Sequence, residues 1–388
     1  MKRITLSAVS LVLLGAASAA HAQNSVTLYG AIDDSIQYIH NATPTGSNQV
    51  GMAQGTTGNL TGSRWGLKGS EDLGAGLKAI FKLENGFNPN TGKLGQGGRL
   101  FGRQSYFGLS SDTYGTFTMG RQYDPLVDMV QSITADNIFS SMFSTPGDVD
   151  NNDNSSRTNN SVKYVSPSFS GLQAEAMYAF GGVAGQTGSG QTWSGALAYN
   201  NGPLSLAGGY FVADNPSVSG ATRTTWGGTS DGTFNGSLIN LGYQTAKSIN
   251  IGSLAAQYVA GLFTFGVGYS NAQYKADAQS AFGSTEKFNT GQGFVYYQAT
   301  RPLLLALGYS FTKSSGDTSA TYNQVSVGAD YNLSKRTDLY LLGAWQHASG
   351  NTRATDGSLV SAQASVGSYG VPGTDTQAIV SLGLRHKF

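Results

Sequence analysis

Val380-Ser-Leu-Gly-Leu-Arg-His-Lys-Phe388 closes the chain, and its alternation decides the fold. Val380, Leu382, Leu384, His386 and the terminal Phe388 share one face of an extended strand, with small or polar residues between them. A strand that turns apolar groups towards lipid and polar groups towards water, and ends on an exposed aromatic, fits the last stave of a transmembrane barrel. Leu384, His386 and Phe388 are then the candidate signal read by the barrel-assembly machinery.

The other end points to the same compartment. Lys2 and Arg3 precede an apolar stretch from Ile4 to about Leu14, and small residues lead to Ala20-His21-Ala22. This reads as a secretory signal over 1–22 with an A-x-A cleavage site, leaving 23–388 as one barrel domain. The apolar run is shorter than the roughly 20 residues a spanning helix requires. Mean hydropathy just below zero is no argument against a membrane protein, because a polar lumen offsets an apolar belt.

Composition removes several function classes. There is no cysteine, so disulfides, thiolate nucleophiles and Cys-type metal sites are absent. Of 23 Lys and Arg, two lie in the signal segment, leaving 21 against 22 Asp and Glu. That balance gives no basic excess for nucleic acid. The 54 Gly, 20 Tyr and 18 Phe favour strands with closely approaching neighbours.

Between the two ends one unit repeats: an alternating run of about ten residues, a tight turn, a second run and a longer polar loop. Tight turns are legible at 72–76, 111–115, 166–168, 200–203, 260–261, 301–302 and 334–336. Seven such turns, with one further strand at each end, predict an all-β, 16-stranded antiparallel transmembrane β-barrel. Longer loops are expected at 40–61, 86–98, 122–157, 182–190, 213–247, 276–286, 313–320 and 348–375. Phe263, Phe265, Val267 and Tyr269 alternate with Thr264, Gly266, Gly268 and Ser270. The run 303–311 alternates likewise, with Leu304 as an exception. Tyr38, Tyr210, Tyr309 and Trp345 are read as interfacial girdle residues rather than a sugar-stacking slide. Backbone groups in lipid must be paired internally, so the sheet has to close.

Several ordered segments resemble the trimeric general-diffusion porins of Gram-negative bacteria, especially the beta-proteobacterial type. They are Ser25–Gly30, Ser63–Gly74, Gly76–Glu84, Phe101–Gln104, Gly115–Asp124, Asn160–Tyr164 and Leu384–Phe388. The resemblance implies a homotrimer in outer-membrane lipid and lipopolysaccharide, passive passage of small hydrophilic solutes and ions, and no cofactor. It also implies a third loop folded into the barrel as a constriction.

Charge placement supports that loop. Segment 122–157 carries Asp124, Asp128, Asp136, Asp148, Asp150 and Asp153, with no Lys or Arg before Arg157. Arg64 and Lys68 alternate with Trp65 and Leu67, and Lys78 and Lys82 alternate with Leu77, Ala79, Phe81 and Leu83, so these four cations take the lumen face. Acid on an inserted loop opposite base on the wall sets a transverse field across a narrow gap. The resemblance carries the basic half onto Arg64, Arg103 and Arg157, joined by Lys68 and Lys82; the acidic half is assigned to Asp124, Asp128 and Asp136. The family's P-E-F-G-G loop motif is absent. Strict alternation puts Arg103 and Arg121 with Phe107 and Phe117 on the outer face. Either a bulge turns them inward or they meet carboxylates between subunits; inward is preferred for Arg103, and Arg121 stays open.

An enzyme reading lacks support. His40, His347 and His386 lie near strand ends, with no nucleophile and orienting partner at strand spacing. The functional alternatives are a general-diffusion channel, a substrate-specific channel with a weak solute site at its constriction, and a surface receptor using loops 213–247 and 348–375.

Overall fold

Alternating sequence becomes a two-sided wall. The computed structural model describes residues 25–53, 57–217, 221–232, 236–368 and 370–388, and among these described residues there are eighteen strands in one sheet. The signal segment 1–22 lies outside the described residues. In chain order these are β1 (Ser25–His40), β2 (Gln49–Met52), β3 (Arg64–Gly74), β4 (Leu77–Gly86), β5 (Gln104–Ser111) and β6 (Gly115–Gln122). Next come β7 (Thr158–Val165), β8 (Leu172–Ala179), β9 (Thr192–Asn201), β10 (Leu204–Asp214), β11 (Ser248–Ala260) and β12 (Phe263–Lys275). The last are β13 (Glu286–Gln298), β14 (Leu303–Ser315), β15 (Ser319–Asn332), β16 (Thr337–Arg353), β17 (Leu359–Ser361) and β18 (Thr376–Lys387).

Sixteen of these make the wall; β2 and β17 are short additions that extend β1 and β16 at the long-loop end. Closure comes from antiparallel pairing of β1 with β18, from Ala31 opposite Lys387 to His40 opposite Ala378. Gly30 and Phe388 also exchange backbone hydrogen bonds of 3.0 Å in both directions, so the terminal residue itself helps seal the seam. The closed antiparallel barrel predicted from the terminal strand is the one observed.

Burial follows parity. On β1, Ala31, Asp33, Ser35, Gln37 and Ile39 are buried inward while Ile32, Ile36 and Tyr38 are exposed outward. Tyr210, Tyr309 and Trp345 also stand exposed on the outer surface. Leu304, the exception in its strand, points inward and packs against a lumenal apolar cluster.

The seven tight turns fall where the sequence put them. The long loops fit less closely: the one expected at 86–98 runs on to 103, and the one expected at 348–375 begins only after β16 ends at Arg353. Strands β14 and β15 continue to Ser315 and from Ser319, so the expected loop 313–320 is a three-residue turn over 316–318. Alternation persists through Lys313 and Thr321, and polar residues above the lipid belt extend the ladder rather than ending it.

Segment 123–157 leaves the wall after β6, runs through short helical turns and leans on the inner faces of the later strands. Its apolar residues Leu126, Val130, Phe139, Met142, Phe143 and Val149 are all buried. They fit because the facing wall positions lack side chains. A Cβ at Gly308 would lie 2.8 Å from the Phe143 ring, and one at Gly328 would lie 2.6 Å from the Phe139 ring. Polar contacts fix the seat: the Tyr296 hydroxyl donates to Ala135 O at 2.8 Å, and Gln324 Nε2 donates to Met142 O at 3.1 Å. The lumen therefore holds a folded loop against one side, leaving the opposite side open.

Candidate functional site

The open side is a cavity of about 780 Å³ between this inserted loop and strands β3 to β5. Its wall carries Arg64, Lys82, Glu84 and Arg103, its roof Arg99 and Asp231, and the returning loop brings Tyr123, Asp136, Asp153 and Arg157. Four of the five expected cations are thus together.

Register explains each placement. Arg64 pairs with Ala31 and Gly86, and Lys68 with Lys82, on the inward face as parity required. Arg103 reaches the lumen despite its parity because β5 begins only at Gln104; the preceding backbone bends there and turns the side chain inward. Arg103 Nε donates to Glu84 Oε1 at 2.8 Å, and one of its terminal nitrogens donates to the Tyr123 hydroxyl oxygen at 2.9 Å. Arg157 donates to that same oxygen at 3.0 Å and to Ser155 O at 2.8 Å. A register shift between Gly120 and Gln122 re-aims Arg121. It is buried beneath Asp231 at 2.8 Å and donates to Gly102 O and Asn159 Oδ1, away from the cavity lining. The carboxylates that these two arginines meet, Glu84 and Asp231, belong to the same chain.

Lys68 faces the lumen but does not line the cavity; its ammonium sits 5.5 Å from the Tyr29 ring centroid, and that of Lys82 sits 5.7 Å from the same ring. Two of the three chosen acids also lie elsewhere. Asp124 is buried, accepting from Leu126 N at 2.9 Å and Asn151 Nδ2 at 2.8 Å, so it organises the start of the loop. Asp128 is paired with Lys163 of β7, which also binds Glu175 at 3.0 Å. Counting acids in a loop cannot distinguish those that build it from those it presents. Asp136 does line the cavity, and Asp153 joins it.

Burial raises these carboxyls. Asp153 is pushed up to about 7, moderated by hydrogen bonds from Ser368 and Ser140 and by Arg157. Asp136 is held well above the carboxylate range by burial and by the neighbouring Asp153, Asp148 and Asp150. The acidic half is consequently weaker than its residue count, while the guanidiniums stay charged.

Two further groups line the cavity without having been singled out by the sequence. Glu84 stands two residues from Lys82 and so lies on the same inward face, a signal that parity offered. Tyr123 stands just past the bulge, where parity gives no direction.

The sequence matches the profile of the Gram-negative porin family over residues 7–351. The chain is a Gram-negative porin. This porin is 33% identical to an outer membrane porin protein of Bordetella pertussis, over 89% of this chain and 94% of that one. It is 31% identical to outer membrane porin protein 32 of Delftia acidovorans, over 98% and 99% of the two chains. Among solved structures it resembles the anion-selective porin from Comamonas acidovorans, with a TM-score of 0.71 and 25% identity over 94% of this porin and 100% of that one. The porin is an outer-membrane barrel, and its family consists of channels rather than enzymes.

Proposed function

We propose that the lumen is a water-filled channel for passive diffusion of small hydrophilic solutes and ions, narrowed by segment 123–157 and favouring anions. One observation carries the sign: Arg64, Arg103, Arg157 and Lys82 converge on one cavity, whereas Asp124 and Asp128 are engaged elsewhere and Asp153 titrates near neutrality. Fixed charge in a narrow aqueous gap with low-dielectric walls sorts ions by sign. The solved Comamonas porin, described as anion-selective, agrees with this direction. Reversal potential of the purified protein in planar bilayers under a potassium chloride gradient tests it. A potential of cation sign overturns the reading.

A homotrimer is part of the proposal. Asp34 faces outward between Ile32 and Ile36, with Asn90 Nδ2 donating to it at 3.3 Å. A carboxylate turned towards lipid is unfavourable, and a second copy of the chain covers it. Strands β5 to β8 have only eight residues each, against thirteen in β11 to β14, which fits a wall shielded by neighbours. Leu384 and His386 stand outward on β18 and Phe388 just after it, open to assembly factors before closure. The alternative of a substrate-specific channel predicts saturable block confined to one solute; current linear in chloride salt, with any block shared among oxyanions, favours general diffusion.

A further inference from the structure

We propose that Tyr123 sets how strongly this constriction holds oxyanions, its phenol oxygen standing where a permeant oxyanion's oxygen would bind. The inference rests on the anion reading and deepens it. The Arg103 and Arg157 guanidiniums approach from two sides and donate to this one oxygen at 2.9 and 3.0 Å. Convergent guanidinium N–H groups are the arrangement that receives carboxylate, sulfate or phosphate oxygens.

The phenol is held on that point. Lys163 Nζ donates to the Tyr123 carbonyl at 3.1 Å, and the Arg157 guanidinium lies 5.0 Å from the ring centroid. The arginines are held as well, Arg103 by Glu84 and Arg157 by Ser155 O. An anion entering the cavity either displaces the phenol oxygen or shares the remaining N–H groups. A neutral phenol is a weaker acceptor than an oxyanion, so it yields, yet it lowers the net gain on binding. Conduction requires that a bound ion leave as readily as it enters. A phenylalanine at 123 would fill the same space without supplying the oxygen.

The probe is sulfate, which stays divalent across the working range, added to chloride currents through full-length Tyr123→Phe in planar bilayers. Freeing two charged donors lowers the half-blocking sulfate concentration roughly tenfold. An unchanged or weaker block overturns the proposal, as does absence of sulfate block in both proteins.

A second measurement on the unaltered protein covers a variant that fails to insert. The charged groups facing the phenol are Arg64, Arg103 and Arg157, with Glu84 opposing them. Burial pushes the phenol up, but those arginines outweigh it and hold it below its ordinary value. Above about pH 8, where Asp153 is already ionised, sulfate block therefore weakens further, and does so before the ordinary phenol value of about 10. A block that stays flat until the lysines titrate sinks the idea. A cation-sign reversal potential would overturn the anion reading, whereas the comparison of sulfate block between Tyr123→Phe and the unaltered chain decides this one.

Discussion

Glu84 accepts a hydrogen bond from Arg103 Nε at 2.8 Å and a second from the Tyr29 hydroxyl at 2.8 Å, placing a carboxylate inside the basic wall. It lies 3.6 Å from Lys82 as well. The wall is therefore less positive than its cations alone imply. Glu84→Gln keeps an acceptor for Arg103 and removes the charge. One unit charge a few Å from the ion path is worth about 1 kcal/mol in water, so the anion-to-cation permeability ratio should rise roughly fivefold by reversal potential. A ratio that falls would mean Arg103 has left the lumen.

Arg64→Ala should act in the opposite sense. Arg64 is held by Thr61 Oγ1 at 2.5 Å and by Gly62 O at 3.4 Å, from a neighbouring loop rather than from the loop inside the barrel. Its removal takes charge from the cavity without unseating segment 123–157. A similar fall in the permeability ratio is expected, with thermal stability of the purified protein unchanged within about 0.5 kcal/mol.

Asp153 makes selectivity depend on pH. Burial holds its carboxyl at about 7, above the ordinary carboxylate value of 3.8. Below that pH it is neutral and the cavity is more positive; above it the acid side gains charge. Anion preference should fall as pH rises from about 5 to about 8, and Asp153→Asn should flatten that slope. The linkage has the same origin. The folded state binds the proton more tightly than the unfolded chain, so this group lowers stability as pH rises from the unfolded value towards and beyond the folded one.

The barrel was legible because closure in lipid leaves few alternatives to strict alternation, and β18 shows it through Val380, Leu382 and Leu384. Arg64, Lys68 and Lys82 were legible for the same reason: each sits inside a regular strand. Arg103 and Arg121 were not, since a bend before β5 and a shift at Gly120 reset the direction of the side chain. Tyr123 and Asp153 belong to a loop whose facing is set by distant wall positions such as Gly308 and Gly328, and no local period encodes that.

Those glycines yield a direct test of the seat. Phe139 and Phe143 occupy the space that side chains at 328 and 308 would fill. Gly328→Leu should drive Phe139 off the wall and lift segment 123–157, raising single-channel conductance. Phe139→Ala should loosen the same contact by about 3–5 kcal/mol, with noisier current at unchanged barrel stability. Conductance equal to the parent in both variants would show that the loop is not what limits flow.

At the long-loop end, Arg223 donates two hydrogen bonds to Asp277, at 2.7 and 2.9 Å, tying segment 221–232 to segment 276–285. Those bonds hold the Asp277 carboxyl down at about 2, below the ordinary 3.8. The stabilisation is present above the unfolded value and is lost as pH falls through about 2. Asp277→Asn should therefore open the two loops at neutral pH. Limited proteolysis checks this: the variant should be nicked within 221–232 while the parent resists there. Because the ladder of β11 to β13 is untouched, both proteins should keep the same barrel melting temperature. Equal protection of the loops in parent and variant would show that the pair is incidental.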